Sequence, residues 1–244
     1  MRVPEPSEYL RAIADESAAL LDAAGRTGLD APVPSCPGWD VAELLGHLGG
    51  VQGWAAEMSR RAPGGERIPR DPSAIPAADD RPAWFAGLTA ALLEALDRPS
   101  DEPAWSWIPP ATVGFWQRRQ AHEAAMHRVD AELAAGVAVP QIDAALAADG
   151  IDEFLTMVQL FNPTGIGDPG ATLHFHCTDV EGEWLARLDP DGIAIEREHA
   201  KGDVAAKGSA SALLCWLQGR GPMDLLEVFG DAGLLERWRA QTAW

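Results

Sequence analysis

Between Gln120 and Glu132 the chain reads QAHEAAMHRVDAE, two histidines and two glutamates in a segment of helical spacing. A zinc-protease motif, H-E-x-x-H, sets its histidines four apart on one helix face, with the glutamate as base. Here His122 and His127 are five apart, which separates them by about 140° around a helix, so the protease reading fails on spacing. Glu123 and His127 are four apart, one turn above the other, and can share one ion. Asp130 continues that face, giving a stripe of Gln120, Glu123, His127 and Asp130, while Met126, Val129 and Leu133 occupy the other faces. Two readings stand at this point: a solvated face of an acidic helix, or two metal ligands without their third.

His47, in ELLGHLGG, is the next candidate. Leu44, Leu45, Leu48 and Val51 accompany it at core-facing spacing, so it is either a hydrogen-bonded core histidine or a ligand. Gly46, Gly49 and Gly50 surround it. Glycines inside a helix cost stability, and such a cluster suggests that another backbone or a small molecule comes close. Two imidazoles and one carboxylate without cysteine suit zinc or another divalent first-row metal, and three protein ligands leave positions open for water or substrate. Packed side by side in a bundle, the two helices would let His47 meet Glu123 and His127.

Other reactive side chains have plainer readings. Cys36, in PSCPGW, precedes the His47 helix as a buried lead-in, and Cys177 and Cys215 read as packed small hydrophobes. His174 and His176, in LHFHC, share one strand face and can bind metal, but with no third partner in view they read as a solvent-facing pair. Trp39, Trp54, Trp105, Trp107 and Trp116 fall near the candidate residues in sequence. They either wall a pocket or fill a core.

Apolar periodicity supplies the elements that must position these groups. Helices are predicted over Glu5 to Gly25, Asp40 to Arg61, Pro82 to Leu96, Phe115 to Ala135 and Gln141 to Leu160. Asp40 with Glu43 three residues on reads as a capping box. Residues 62–80, rich in Pro, Gly, Asp and Arg, form a loop that covers something. After FNPTGIGDPG the character changes: ATLHFHCTD, EWLARLD and IAIERE read as an antiparallel meander. DVAAKGS and LLEVFG then read as strands, and SALLCWLQGR and LLERWRAQ as helices. The fold class is α+β, with an all-helical domain over 1–162 and a small α+β domain over 163–244.

Composition narrows the partners. A net charge of −18 with 19 basic residues disfavours nucleic acid and anionic membranes, since phosphate binding needs Lys and Arg to displace counterions. Three cysteines without a CxxC give no disulfide framework. MRVPEPSEYLRA lacks a signal-peptide layout, and apolar runs are too short to cross a bilayer. A cytoplasmic location is expected.

CPGWDVAELLGHL, then HEAAMHRVDAELAAG, TDVEGEWLARLD, WLQGR and EVFGDAGLLERW together resemble the mycothiol-dependent maleylpyruvate isomerase family, from the first helix to the C-terminus. The sharpest parts are W-D-V-x-x-L-x-x-H and E-x-x-x-H-R-x-D, specific in that order and separation. The resemblance implies a DinB-like antiparallel four-helix bundle followed by a small sterol-carrier-like α+β domain. It implies a divalent metal, zinc by usual assignment, on His47, Glu123 and His127, and a catalytic arginine that falls on Arg220 of LQGR. Mycothiol is the implied cofactor, its sulfur on the open metal position as the nucleophilic thiolate. In an isomerase that thiolate adds to an electron-poor double bond, a single bond rotates, and elimination returns the thiol. In an S-transferase it attacks a small electrophile and stays on the product. Arg220 would grip a substrate carboxylate. The alternative is a non-catalytic metal- or ligand-binding protein of the same fold, and either acts as a monomer or homodimer.

Overall fold

The computed structural model describes residues 1–161 and 168–242. Two compact units result, Glu5–Pro140 and Gln141–Trp244, the latter joined by Met1–Pro4. The first holds four helices: α1 (Pro6–Thr27), α2 (Val41–Met58), α3 (Arg81–Leu96) and α4 (Val113–Ala134). α1 packs along α4 and α2 along α3, and α2 also meets α4. Leu20, Val41, Leu44, Leu45, Leu48 and Phe85 are wholly buried where these helices converge. Gln52 threads a polar link through them, donating to Ser17 Oγ at 3.1 Å and accepting from Thr89 Oγ1 at 2.7 Å.

Boundaries follow the signals in the sequence. Asp40 and Glu43 form the expected capping box, each carboxylate accepting from the other's backbone N–H at 2.7 and 2.9 Å. Gly28, at φ 93°, ends α1 in a conformation that a side chain would resist.

The second unit contains α5 (Ala144–Phe161), strands β1 (Thr172–Cys177), β2 (Glu183–Asp189), β3 (Gly192–Glu196), β4 (Val204–Gly208) and β5 (Glu227–Gly230), and helices α6 (Ala210–Leu217) and α7 (Ala232–Thr242). The sheet order is β3-β2-β1-β4-β5. β1 to β3 form the expected antiparallel meander, but β4 lies parallel to β1, so the meander does not continue. Residues 197–203 carry the chain back across the sheet before β4 begins. Phe175 packs on Trp216 of α6 and Trp238 of α7, which covers one sheet face.

The expected boundary at 162/163 moves to 140/141 because α5 packs on α6 and β3. Asp152 of α5 accepts from Trp184 Nε1 and Arg197 Nε, which ties the helix to the sheet. Its helical period alone carried no mark of which partner it would choose. Residues 162–167, where the sequence suggested the break, lie outside the described residues. No described helix is long and apolar enough to cross a membrane.

Candidate active site in the helical unit

The polar stripe of α4 faces the bundle interior rather than solvent. Gln120, His127 and Asp130 are 1%, 8% and 0% exposed. Polar side chains buried so deeply must be hydrogen-bonded or ligating. Asp130 Oδ2 lies 2.9 Å from His127 Nδ1, and its Oδ1 accepts from the Ser35 hydroxyl at 2.5 Å. The Cys36 thiol reaches the same carboxylate at 3.6 Å, so this cysteine supports the site from the turn before α2. With Nδ1 held by Asp130, His127 turns Nε2 toward Glu123, whose Oε2 is 3.4 Å away. Arg119 pairs with the other oxygen of Glu123.

α2 brings His47 to this pair. Its ring lies 5.1 Å from that of His127 between centroids and 4.8 Å from Trp39, which walls it. Burial, then the neighbouring His127 charge, push the His47 pKa down to about 4, so it is neutral near pH 7. Burial also opposes charge on His127, but its bonds to Asp130 and Glu123 outweigh that and raise its pKa to about 9. Burial likewise resists ionisation of Glu123, yet Arg119 and His127 hold its carboxyl far below the ordinary range. Two carboxylates thus keep one positive charge between them as a proton on His127. A divalent cation among the same groups would satisfy them in its place. A carboxylate that holds one imidazole nitrogen and aims the other at a ligand site is how proteins orient a metal-binding histidine, and here the other nitrogen faces the Glu123 carboxylate, so the donor set fits a zinc-class ion.

A cleft of about 870 Å³ opens beside His47, of the size that holds a small ligand. Residues 67–75 form part of its wall, so the irregular segment does cover something. It is hooked down by indole N–H groups: Trp54 donates to Ile68 O at 2.6 Å and Trp105 to Gly65 O at 2.8 Å. Trp39, Trp54 and Trp84 line the cleft. Trp105 and Trp116 are buried and meet Trp54 edge-on, while the more exposed Trp107 stacks on it. Arg67, Arg70 and Arg81 line the cleft among Glu43, Glu57 and Asp71. Arg70 is close enough to lower the His47 pKa.

The glycines of α2 now have separate reasons. Gly46 and Gly50 line the cleft, and a side chain at Gly50 would meet only open space. A Cβ at Gly49 would collide with the Trp84 ring. Gly49→Ala is expected to cost roughly 1–3 kcal/mol by overpacking, read by urea unfolding, and Gly50→Ala much less. Equal costs at the two positions would show that helix propensity rather than the Trp84 contact governs them.

The other candidates have surroundings of their own. His122, 5% exposed, packs edge-on to Tyr9 on the α1 side, as its five-residue offset implied. Arg220 follows α6 in the second unit and donates through Nη1 to Gln218 O at 2.7 Å. Cys177 and Cys215 are buried, and burial pushes the Cys177 thiol up to about 12, which makes it inert. His174 and His176 are not a solvent-facing pair: His174 is 7% exposed, and both meet Glu183. Sequence reasoning missed the anchoring roles of Ser35 and Asp130, the cleft arginines, and Glu183. The S-C-P turn before the histidine helix and the E-x-x-x-H-x-x-D spacing were the available signals for the first two.

The sequence matches the mycothiol maleylpyruvate isomerase N-terminal domain over residues 10–132 and the C-terminal domain of the same proteins over 145–237. A crystal structure of a mycothiol-dependent maleylpyruvate isomerase superposes with a TM-score of 0.67 at 16% identity, covering 93% of this chain and 95% of that one. A histidine-to-alanine mutant of the isomerase gives 0.67 at 15%, with the same coverage. Among curated sequences nothing matches.

Proposed function

The chain belongs to the mycothiol maleylpyruvate isomerase family, and on that premise we propose that it is a metal-dependent enzyme using mycothiol, either as a cis–trans isomerase or as an S-transferase on a small electrophile. What supports this reading is His47 on the cleft wall with its ring 5.1 Å from that of His127, which Glu123 flanks and Asp130 fixes. These three residues would hold the cation. A bound divalent ion would favour the thiolate form of a coordinating thiol, the form that acts as nucleophile.

The chain's own groups do the rest. Asp130 and Ser35 fix the His127 ring, and Arg119 keeps Glu123 ionised. Trp39, Trp54 and Trp84 give the cleft an apolar wall. Two guanidiniums are available for a substrate carboxylate: Arg220 by resemblance, and Arg70 by its position near His47. A bidentate carboxylate bond at either would offset the repulsion of a chain carrying −18. Truncating the arginine that binds substrate should cost about 2–5 kcal/mol, roughly 30-fold or more in KM or kcat/KM. Kinetics of Arg220→Ala and Arg70→Ala identify which one does so, and unchanged constants in both would remove this role from each.

The second reading, a ligand-binding protein without catalysis, is favoured by one observation. Arg220 donates to the carbonyl at the C-terminal end of α6, as a helix-capping arginine does. Turnover separates the two. The enzyme consumes a maleylpyruvate-type or generic electrophile faster with mycothiol than with glutathione, and His47→Ala lowers its zinc content by one equivalent. No thiol preference, or zinc unchanged in His47→Ala, would overturn the enzyme reading.

A further inference from the structure

Three of the six histidines gather far from α2 and α4 in sequence, on the sheet of the second unit. His174 and His176 point from the same face of β1, because alternate residues of a strand share a face. Glu183 opens β2 directly opposite His176 in the antiparallel register. His199 comes from residues 197–203, the connection from β3 to β4. One ligand atom from each of the four lies within 4.8 Å of all the others.

Their arrangement is more than a surface ion pair. Oε2 of Glu183 is approached by His174 Nε2 at 3.1 Å, His176 Nδ1 at 3.2 Å and His199 Nδ1 at 2.5 Å. A carboxylate oxygen has two lone pairs, so three imidazole nitrogens over-subscribe it as hydrogen-bond donors. His199, 80% exposed, also gives up rotamer freedom to join a pairing of a kind that contributes little at a surface. Nitrogen lone pairs turned toward a cation, with the carboxylate as fourth ligand, resolve that conflict.

We propose that His174, His176, Glu183 and His199 form a second metal site, for a divalent first-row ion of the zinc class. Three imidazoles and a carboxylate are a zinc-type donor set, and softer thiolate-seeking ions are disfavoured by the lack of cysteine. With ligand bonds of about 2.0–2.2 Å in a tetrahedral shell, the imidazole nitrogens must turn from the Glu183 oxygen they now crowd toward a common centre. His199, on a connection rather than a strand, supplies that movement. Four protein ligands close the coordination shell, which is the structural rather than the catalytic type. The ion therefore fastens residues 197–203 to the β1–β2 hairpin. It is independent of His47, Glu123 and His127.

Zinc titration of the full chain, stripped of metal, tests this. With His47 and Glu123 both changed to alanine, the protein is expected to bind one equivalent tighter than about 1 μM, and zinc should slow hydrogen exchange in residues 197–203. Adding His176→Gln and His199→Gln, at positions exposed enough to leave the fold intact by circular dichroism, should weaken that binding at least tenfold and abolish the exchange protection. Binding that survives those two changes, or none in the first variant, overturns the site. In the unaltered protein two equivalents are expected. A single equivalent that survives loss of His47 and Glu123 but not of His176 and His199 upholds this site and sinks the one in the bundle.

Discussion

His127→Ala is expected to remove the cation from the helical unit and to lower mycothiol-dependent kcat/KM by about 10³-fold or more. A metal's charge stabilisation is worth several kcal/mol, and each 1.4 kcal/mol or so is a factor of ten in rate. The partly buried Glu123 carboxylate would keep Arg119 as partner, so the fold should survive. The pH dependence of zinc binding carries the same information. In the metal-free protein His127 holds its proton up to about pH 9, and zinc must displace it. Apparent affinity should therefore rise about tenfold per pH unit from neutrality and flatten above about pH 9. His47, at about 4, is already neutral over that range and adds no slope. Zinc-buffered titrations of a variant lacking the sheet histidines read the slope, and a flat profile would remove His127 from the ligand set. Turnover kept within tenfold in His127→Ala would do the same.

Asp130→Ala should be the most destabilising single change in this site, by roughly 3–5 kcal/mol, because it strands a buried imidazolium and the Ser35 hydroxyl without their acceptor. Asp130→Asn preserves the shape and a neutral acceptor. It should fold, yet lose about 10- to 100-fold in metal affinity, the usual effect of removing an orienting carboxylate. The linkage has a definite sign. His127 has a folded pKa raised from 6.5 to about 9. Its contribution to metal-free stability is thus fully present below about pH 6.5 and lost as pH rises through 9. His47, depressed to about 4, acts in the opposite sense: stability falls as pH drops from 6.5 toward 4. Urea unfolding across pH 6.5–9 should show a decline that Asp130→Asn largely abolishes. An equal decline in both proteins would mean that the Asp130–His127 pair does not control it.

Local order was legible in the sequence because it is written in local chemistry. The box of Asp40 and Glu43 and the i,i+4 relation of Glu123 to His127 need only a few adjacent residues. The five-residue offset in HEAAMH likewise dismissed His122 from spacing alone. The pairing of His47 with α4 was suggested by the donor chemistry only on condition that the two helices pack together, and the resemblance supplied that condition, since nothing in either helix by itself names its neighbour.

What only the tertiary structure decided is long-range. An acidic helix stripe became a buried network once Ser35, 95 residues away, met Asp130, and two histidines on a strand became a cluster of four once β2 and the β3–β4 connection came alongside. α5 went to the sheet because the apolar faces of α6 and β3 received it, a choice that periodicity cannot express. Periodicity states which face of an element is buried. Packing of distant surfaces decides what it is buried against, and for this chain that decision turned isolated histidines into candidate metal centres.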